Sequence, residues 1–311
     1  MRVNAMPKLR TLLAVVILVA FVVFVEAWFG WRALLSPWRE VTPSAILAAA
    51  LLTLFTYWLR AVRVYDYYRD AMRGRFLVCL RLTLVHNLLN NLLPMRTGEL
   101  SFPLLMARHF QVPATHSVPV LLWFRLMDLH TLGLFAWLAV GGFVLGWWVA
   151  LPVAAAWLAL LPVARRLAPW LRDALGDPQG GRLRAFAWRA FDALPDSPRA
   201  FWRAWGWTFA NWLVKLAVFV WVLGLFLEVP SAAAWLAVIA GDLTSVLPVH
   251  GVAGAGTYEA GVVAALLPFG VAADAALVAA VNLHLFLLGS AVFGGLLAFA
   301  LPGGRHGPKE D

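Results

Sequence analysis

The sequence predicts an all-α polytopic integral membrane protein, with about six spanning helices and two broken, re-entrant helix pairs arranged as an inverted repeat. Three observations lead there. The 311 residues are 62% hydrophobic, with a mean hydropathy of +0.79, whereas a soluble domain is nearer half apolar. The basic residues collect between long apolar runs, as the positive-inside rule requires of a multi-pass chain. Two shorter apolar runs, one in each half, end at Leu-Pro and are followed by glycine and glutamate.

Composition excludes several classes of function. The formal charge of +9 and the pI near 10.6 would suit nucleic acid. The charge lies between hydrophobic spans instead, so no nucleic-acid partner is expected. A single cysteine, Cys79, excludes an internal disulfide and a cysteine-built metal site. Seventeen tryptophans suit interfacial belts.

The elements follow in order. Leu12 to Phe29 is apolar apart from Glu26, and follows Arg2, Lys8 and Arg10. A signal peptide is the competing reading. The run is long for one, and bulky Trp28 and Phe29 stand where small residues should mark cleavage, so a retained span is expected. Ala45 to Val62 is the second span. It ends in Arg60, Arg63, Arg69, Arg73 and Arg75, opposed by Asp66 and Asp70, and the cluster reads as cytoplasmic. The broken pair 76–110 comes next. Ser117 to Val140 spans, Gly141-Gly142 is expected to turn the chain, and Phe143 to Val163 returns.

Residues 164–203 carry eight arginines, among them Arg165, Arg166, Arg172 and Arg203. Pro178, Gly180 and Gly181 divide this basic connector into two amphipathic surface helices. Ala204 to Leu227 is the next span, the second broken pair occupies 232–268, and Ala273 to Leu301 closes the membrane part. Residues 1–311 therefore read as one membrane domain. Its first half is 45–163, its cytoplasmic connector 164–203 and its second half 204–301. With the amino terminus inside, every basic cluster falls on one side, both termini are cytoplasmic, and the two broken pairs are approached from opposite faces. That is the inverted repeat of many transporters.

The breaks carry the candidate site. The runs Phe76–Leu93 and Leu100–Phe110 are each short for a span, which needs about 20 apolar residues. Irregular backbone at membrane depth is tolerated only inside protein or beside a water-filled cavity. Asn90 and Asn91 precede Pro94 and can satisfy carbonyls freed there. Arg96 suits a phosphate bidentately, or pairs with Glu99. Glu99 either binds a cation, a proton or an amine headgroup, or opposes the dipole of the helix it opens. The second break runs from Pro248 through Gly254 and Gly256 to Glu259, which faces the same choice unless Thr257 is the cap. Gly98, Gly254 and Gly256 let backbone approach a ligand. Arg125 and Asp128 share a helix face, either neutralising each other or reaching the substrate. His130 reads as a satisfied core residue, and Lys215 and Asp242 are candidates to pair. No Walker A lysine, His-Glu-x-x-His or Gly-x-Ser-x-Gly motif is present. No catalytic residue, cofactor or metal is expected, and the chain does not read as an enzyme.

Asn90 to Glu99, then Arg125-Leu126-Met127-Asp128, then Pro248 through Gly256 to Glu259 resemble, in order and spacing, the transmembrane domain of lysylphosphatidylglycerol synthases and its stand-alone flippase-like relatives. The resemblance covers about residues 45 to 300. It implies two re-entrant segments, a bacterial cytoplasmic membrane location and lipid translocation. His284 departs from the pattern, standing in a helix that often carries arginine. No soluble synthase domain follows the last span, so aminoacyl-lipid synthesis is not expected. The expected function is a flippase-like transporter that moves an anionic lipid or lipid-linked substrate between leaflets, with membrane lipids as its partners. The alternatives are a membrane-embedded transferase acting on a lipid substrate, a non-transporting partner of a lipid-synthesis enzyme, and a small-solute carrier.

Overall fold

The computed structural model describes residues 16, 19–27, 30–176, 179–195, 197–244 and 252–303. Among these residues every regular element is a helix. Six helices among the described residues are long and apolar enough to cross a membrane, and the chain is an integral membrane protein. The helices are α1 (Val19–Ala27), α2 (Pro43–Tyr67), α3 (Phe76–Leu92), α4 (Ser101–Phe110), α5 (Ala114–Val144), α6 (Trp147–Ala174), α7 (Arg182–Asp192), α8 (Pro198–Gly224), α9 (Ser231–Thr244), α10 (Thr257–Leu266) and α11 (Ala273–Leu297).

Five expected spans, 45–62, 117–140, 143–163, 204–227 and 273–301, correspond to α2, α5, α6, α8 and α11. Of the expected first span, residues 16 and 19–27 are described, and Val19–Ala27 forms helix α1. The sixth long segment, Val252–Phe269, is continuous only through Ala253, whose φ of 56° is not helical. Its regular part is the ten-residue α10.

The order of elements recurs. A long helix, a short helix, a break, a ten-residue helix and a long helix start at Pro43, and the same series starts again at Pro198. The second members begin at Phe76 and Ser231, and the third at Ser101 and Thr257. The short members are shorter than the hydrocarbon core of a bilayer. At about 1.5 Å per residue, 17 and 14 residues give about 26 and 21 Å, against a hydrocarbon core of about 30 Å.

One expected turn is corrected. Gly141 and Gly142 lie inside α5, and the chain turns at Leu145-Gly146, where Gly146 has φ +79°. The two glycines serve packing instead. A Cβ at Gly141 would come within 3.0 Å of the Trp137 ring, and one at Gly142 within 2.8 Å of the Trp147 ring. The basic connector also starts differently. α6 runs past the apolar stretch to Ala174, carrying Arg165, Arg166 and Arg172 as helix. Arg172 then holds α7, reaching Asp192 at 3.2 Å and lying 4.2 Å over the Trp188 ring.

The chain forms two compact units, each drawn from both halves of the sequence. The first comprises Met1–Trp58, Thr83–Ser101 and Leu213–Leu301, and the second Leu59–Leu82, Phe102–Trp212 and Pro302–Asp311. The core of the second contains Met72, Phe102, Met106, Phe124, Met127 and Phe201. There α5 and α6 are tied by reciprocal bonds. His130 Nε2 meets the Trp157 carbonyl at 2.9 Å, and Trp157 Nε1 donates to the His130 carbonyl at 3.0 Å. His130 is a core residue as its position suggested, held through Nε2, while its Nδ1 is buried without a partner.

In the first unit α9 and α10 pack face to face through glycine. Gly241 lies against Tyr258 and Val262, and Gly261 against Ala240 and Thr244. On α11, Gly294 receives the Tyr57 ring and Gly295 the Leu88 side chain. Lipid tails are as apolar as leucine, so close packing by small residues must supply much of the association. A methyl group at Gly241 would sit 2.8 Å from the Tyr258 ring, whereas one at Gly206 in α8 meets nothing within 4 Å. Gly241→Ala is therefore expected to lose about 1–3 kcal/mol through overpacking. Thermal unfolding in detergent should show a lowered midpoint for Gly241→Ala and none for Gly206→Ala.

Candidate functional site

The first break starts where proline forces it. Pro94 disfavours the helical conformation for the residue before it, and Leu93 is extended, with φ −80° and ψ 138°. Pro94–Leu100 then makes a 3-10 turn before α4 begins. Gly98 packs directly on the end of α3. A Cβ there would lie 2.3 Å from the Leu89 carbonyl oxygen and 2.5 Å from Asn90 Cα, so its small size serves the protein's own backbone. Ser101 Oγ donates to the Gly98 carbonyl at 2.6 Å and contacts His86 Nδ1 at 2.9 Å. Asn91 donates to the Asn87 carbonyl at 2.7 Å, a bond within α3. Asn90 Oδ1 is buried without a partner. Glu99 is half-buried. The side chains of Pro94 and Arg96 lie outside the described residues.

The second break is described from Val252, so Pro248 lies outside it. Ala253, Gly254 and Gly256 all have positive φ, at 56°, 79° and 83°. Thr257 Oγ1 donates to the Gly254 carbonyl at 2.9 Å, repeating the bond from Ser101 to Gly98. This register sets Gly98 with Gly254 and Ser101 with Thr257. It also separates the two glutamates. Glu99 directly follows the glycine, whereas Glu259 sits two residues beyond the hydroxyl, inside α10. Its Oε2 accepts the Gly256 N–H at 2.8 Å, closing the amino end of that helix. Its Oε1 meets His284 Nδ1 at 2.7 Å. The two side chains are only 3% and 5% exposed. The His284 ring stacks on Tyr258 at 4.3 Å.

The two break turns, Pro94–Leu100 and Val252–Gly254, lie against each other in the first unit. Beside the second is a cavity of about 1250 Å³. Gly256, Glu259 and Asp274 give it a polar side, and Phe21, Phe24 and Phe226 are among its apolar lining. In the same unit, Lys215 of α8 reaches both oxygens of Asp242 on α9, at 2.9 and 2.8 Å.

The second unit holds a separate charge network. Asp128 accepts from Arg63 at 2.6 Å, Trp212 at 2.9 Å and Arg125 at 3.3 Å. Arg63 also donates to Thr208 at 3.0 Å and lies 4.6 Å from the Phe124 ring centroid. The Arg125–Asp128 pair is thus present, but the tighter partner is Arg63, read in the sequence as one of a cytoplasmic cluster. α2 carries it one turn from the helix end and buries it on the side of Thr53 and Thr56. Two threonines and an arginine in near-helical register along one span were the signal that could have found it.

A family model, the lysylphosphatidylglycerol synthase TM region, matches residues 11–295. The chain belongs to this family. Neither the curated proteins nor the solved structures contain a significant match. The family match spans both breaks, the Arg125–Asp128 pair and His284, in agreement with the resemblance read from the motifs. Of the family-like residues, Glu99, Gly254, Gly256 and Glu259 belong to the first unit and Arg125 and Asp128 to the second. Within the first unit, Gly256 and Glu259 meet at one cavity.

Asp128 faces two cations. Removing its charge strands Arg63, which is 4% exposed, and breaking a buried pair from one side costs about 3–5 kcal/mol. Asp128→Asn should unfold at a clearly lower temperature than the parent. Adding Arg63→Met to that variant should recover much of the loss. If the double variant is no more stable than Asp128→Asn, the pair is not what holds this network.

Proposed function

We propose that the chain is a flippase-like transporter that moves an anionic lipid, or a lipid-linked substrate, between the leaflets of the bacterial cytoplasmic membrane. One observation carries the reading: two helix breaks lie side by side in the first unit, and the second opens on a cavity with one polar side and aromatic and aliphatic walls. A headgroup needs the polar side and acyl chains need the apolar walls. The amino end of α10 presents backbone N–H groups with a partial positive charge, which suits a phosphate. Arg96, in the adjoining turn, adds a full charge in this reading.

The short pairs α3–α4 and α9–α10 are read as re-entrant, and the recurring element order as an inverted repeat. The placement of arginines supports cytoplasmic termini and a cytoplasmic connector over 164–203. No catalytic role is assigned to any residue.

In liposomes carrying headgroup-labelled lipids, the parent protein should accelerate exchange of an anionic lipid between leaflets. Gly256→Leu should fold and lose most of that rate, because the side chain fills the approach to the α10 end. Glu99→Gln keeps size and hydrogen bonding without charge, and should also slow it. Parental rates in both folded variants would refute the site. For topology, a cysteine at residue 180 in a Cys79-free background should label only after the membrane is permeabilised.

A further inference from the structure

The first unit contains a line of buried ionisable groups that lipid binding alone does not use. Lys215 and Asp242 pair on α8 and α9. The Tyr258 ring lies against Gly241, the neighbour of Asp242, and stacks on His284. His284 in turn meets Glu259, which forms part of the cavity wall. The Tyr258 hydroxyl is buried without a hydrogen-bond partner. Nearby, Asp274 lines the same cavity and bonds the Ala275 N–H. The adjoining turn contributes Glu99 and, through Ser101, His86.

The charges decide what this line can do. Lys215 and Asp242 cancel. Glu259 is left with His284, and a neutral imidazole leaves the group with one net negative charge. An imidazolium brings it to zero. An arginine at this position would cancel the carboxylate at every pH. Histidine is the side chain whose charge ordinarily changes between about pH 5 and 8. Burial makes the uncancelled charge costly, and the cavity reaches the pair at Glu259.

We propose that Glu259 and His284 form a proton-binding site in the cavity wall, and that its occupancy decides whether an anionic headgroup reaches the Gly256 end of α10. Without the proton, the Glu259 carboxylate holds the Gly256 N–H and repels a phosphate. With it, the group is neutral and the N–H can be given up to a phosphate oxygen. The proton enters from the cavity, rests on the pair, and leaves when Glu259 returns to Gly256. The coupling to lipid rests on the transport reading; the proton site does not.

Two measurements separate them. In full-length protein labelled with nitrogen-15 histidine in lipid nanodiscs, the His284 imidazole, identified by its loss in His284→Gln, should pass between its neutral and charged forms as pH is varied, and Glu259→Gln should alter that response. In liposomes with a headgroup-labelled anionic phospholipid, parental movement should fall as pH rises, by up to about tenfold per pH unit where one proton governs the rate. His284→Arg and His284→Gln should each lose that dependence. An imidazole fixed in one state across the range overturns the proton site, whether or not lipid moves. A parental pH profile in His284→Arg overturns the coupling. If the parent moves no lipid at any pH, the transport reading and the coupling both fall, and the imidazole titration still decides the proton site.

Discussion

Everything at the site depends on one constraint: a helix that stops inside a membrane must satisfy its backbone groups from within the protein. The chain meets it with a small set of repeated contacts. Ser101 and Thr257 each return a hydroxyl to a glycine carbonyl three residues back. Glu259 closes the amino end of α10 through Gly256. At Gly98 the turn lies on the backbone of α3 with no room for a Cβ. These contacts make the breaks stable features rather than kinks, and a stable break leaves a helix end available beside a cavity.

The same logic governs the charges. An ionisable group at membrane depth is tolerated when it is paired or faces water. In the second unit Asp128 answers two arginines and a tryptophan N–H. In the first unit Lys215 and Asp242 balance within α8 and α9. Glu259 is matched there by a histidine, whose charge is conditional. A permanent ion pair serves the fold, whereas a conditional one can also serve a cycle.

Much of this was legible in the sequence. Apolar runs gave the long helices, because about 20 apolar residues are a strong signal. Pro94 and the glycine-rich stretch after Leu247 located the breaks, since proline and positive-φ glycine act locally. Lys215 with Asp242, and Arg125 with Asp128, were found because unpaired charges in apolar runs demand partners. Pairings across distant segments were harder. Arg63 looked like one of a cytoplasmic cluster running from Arg60 to Arg75, and only the length of α2 shows that it is inside. Gly141-Gly142 looked like a turn, yet the glycines accommodate Trp137 and Trp147. Glu99 and Glu259 looked equivalent because each follows a Pro/Gly break. The hydrogen-bond register shows that they occupy different places.

That last difference bears on how two similar halves come to do different work. Each break brings a histidine to the neighbourhood of its hydroxyl or carboxylate. In the first, His86 meets Ser101, a neutral group already committed to the Gly98 carbonyl. In the second, His284 meets Glu259, committed through its other oxygen to the Gly256 N–H. A carboxylate shared between an imidazole and a helix amino end feels a change in imidazole charge directly, because both partners compete for the same negative charge. The repeated architecture supplies two comparable breaks, and in the second a carboxylate is shared between an imidazole and a helix amino end.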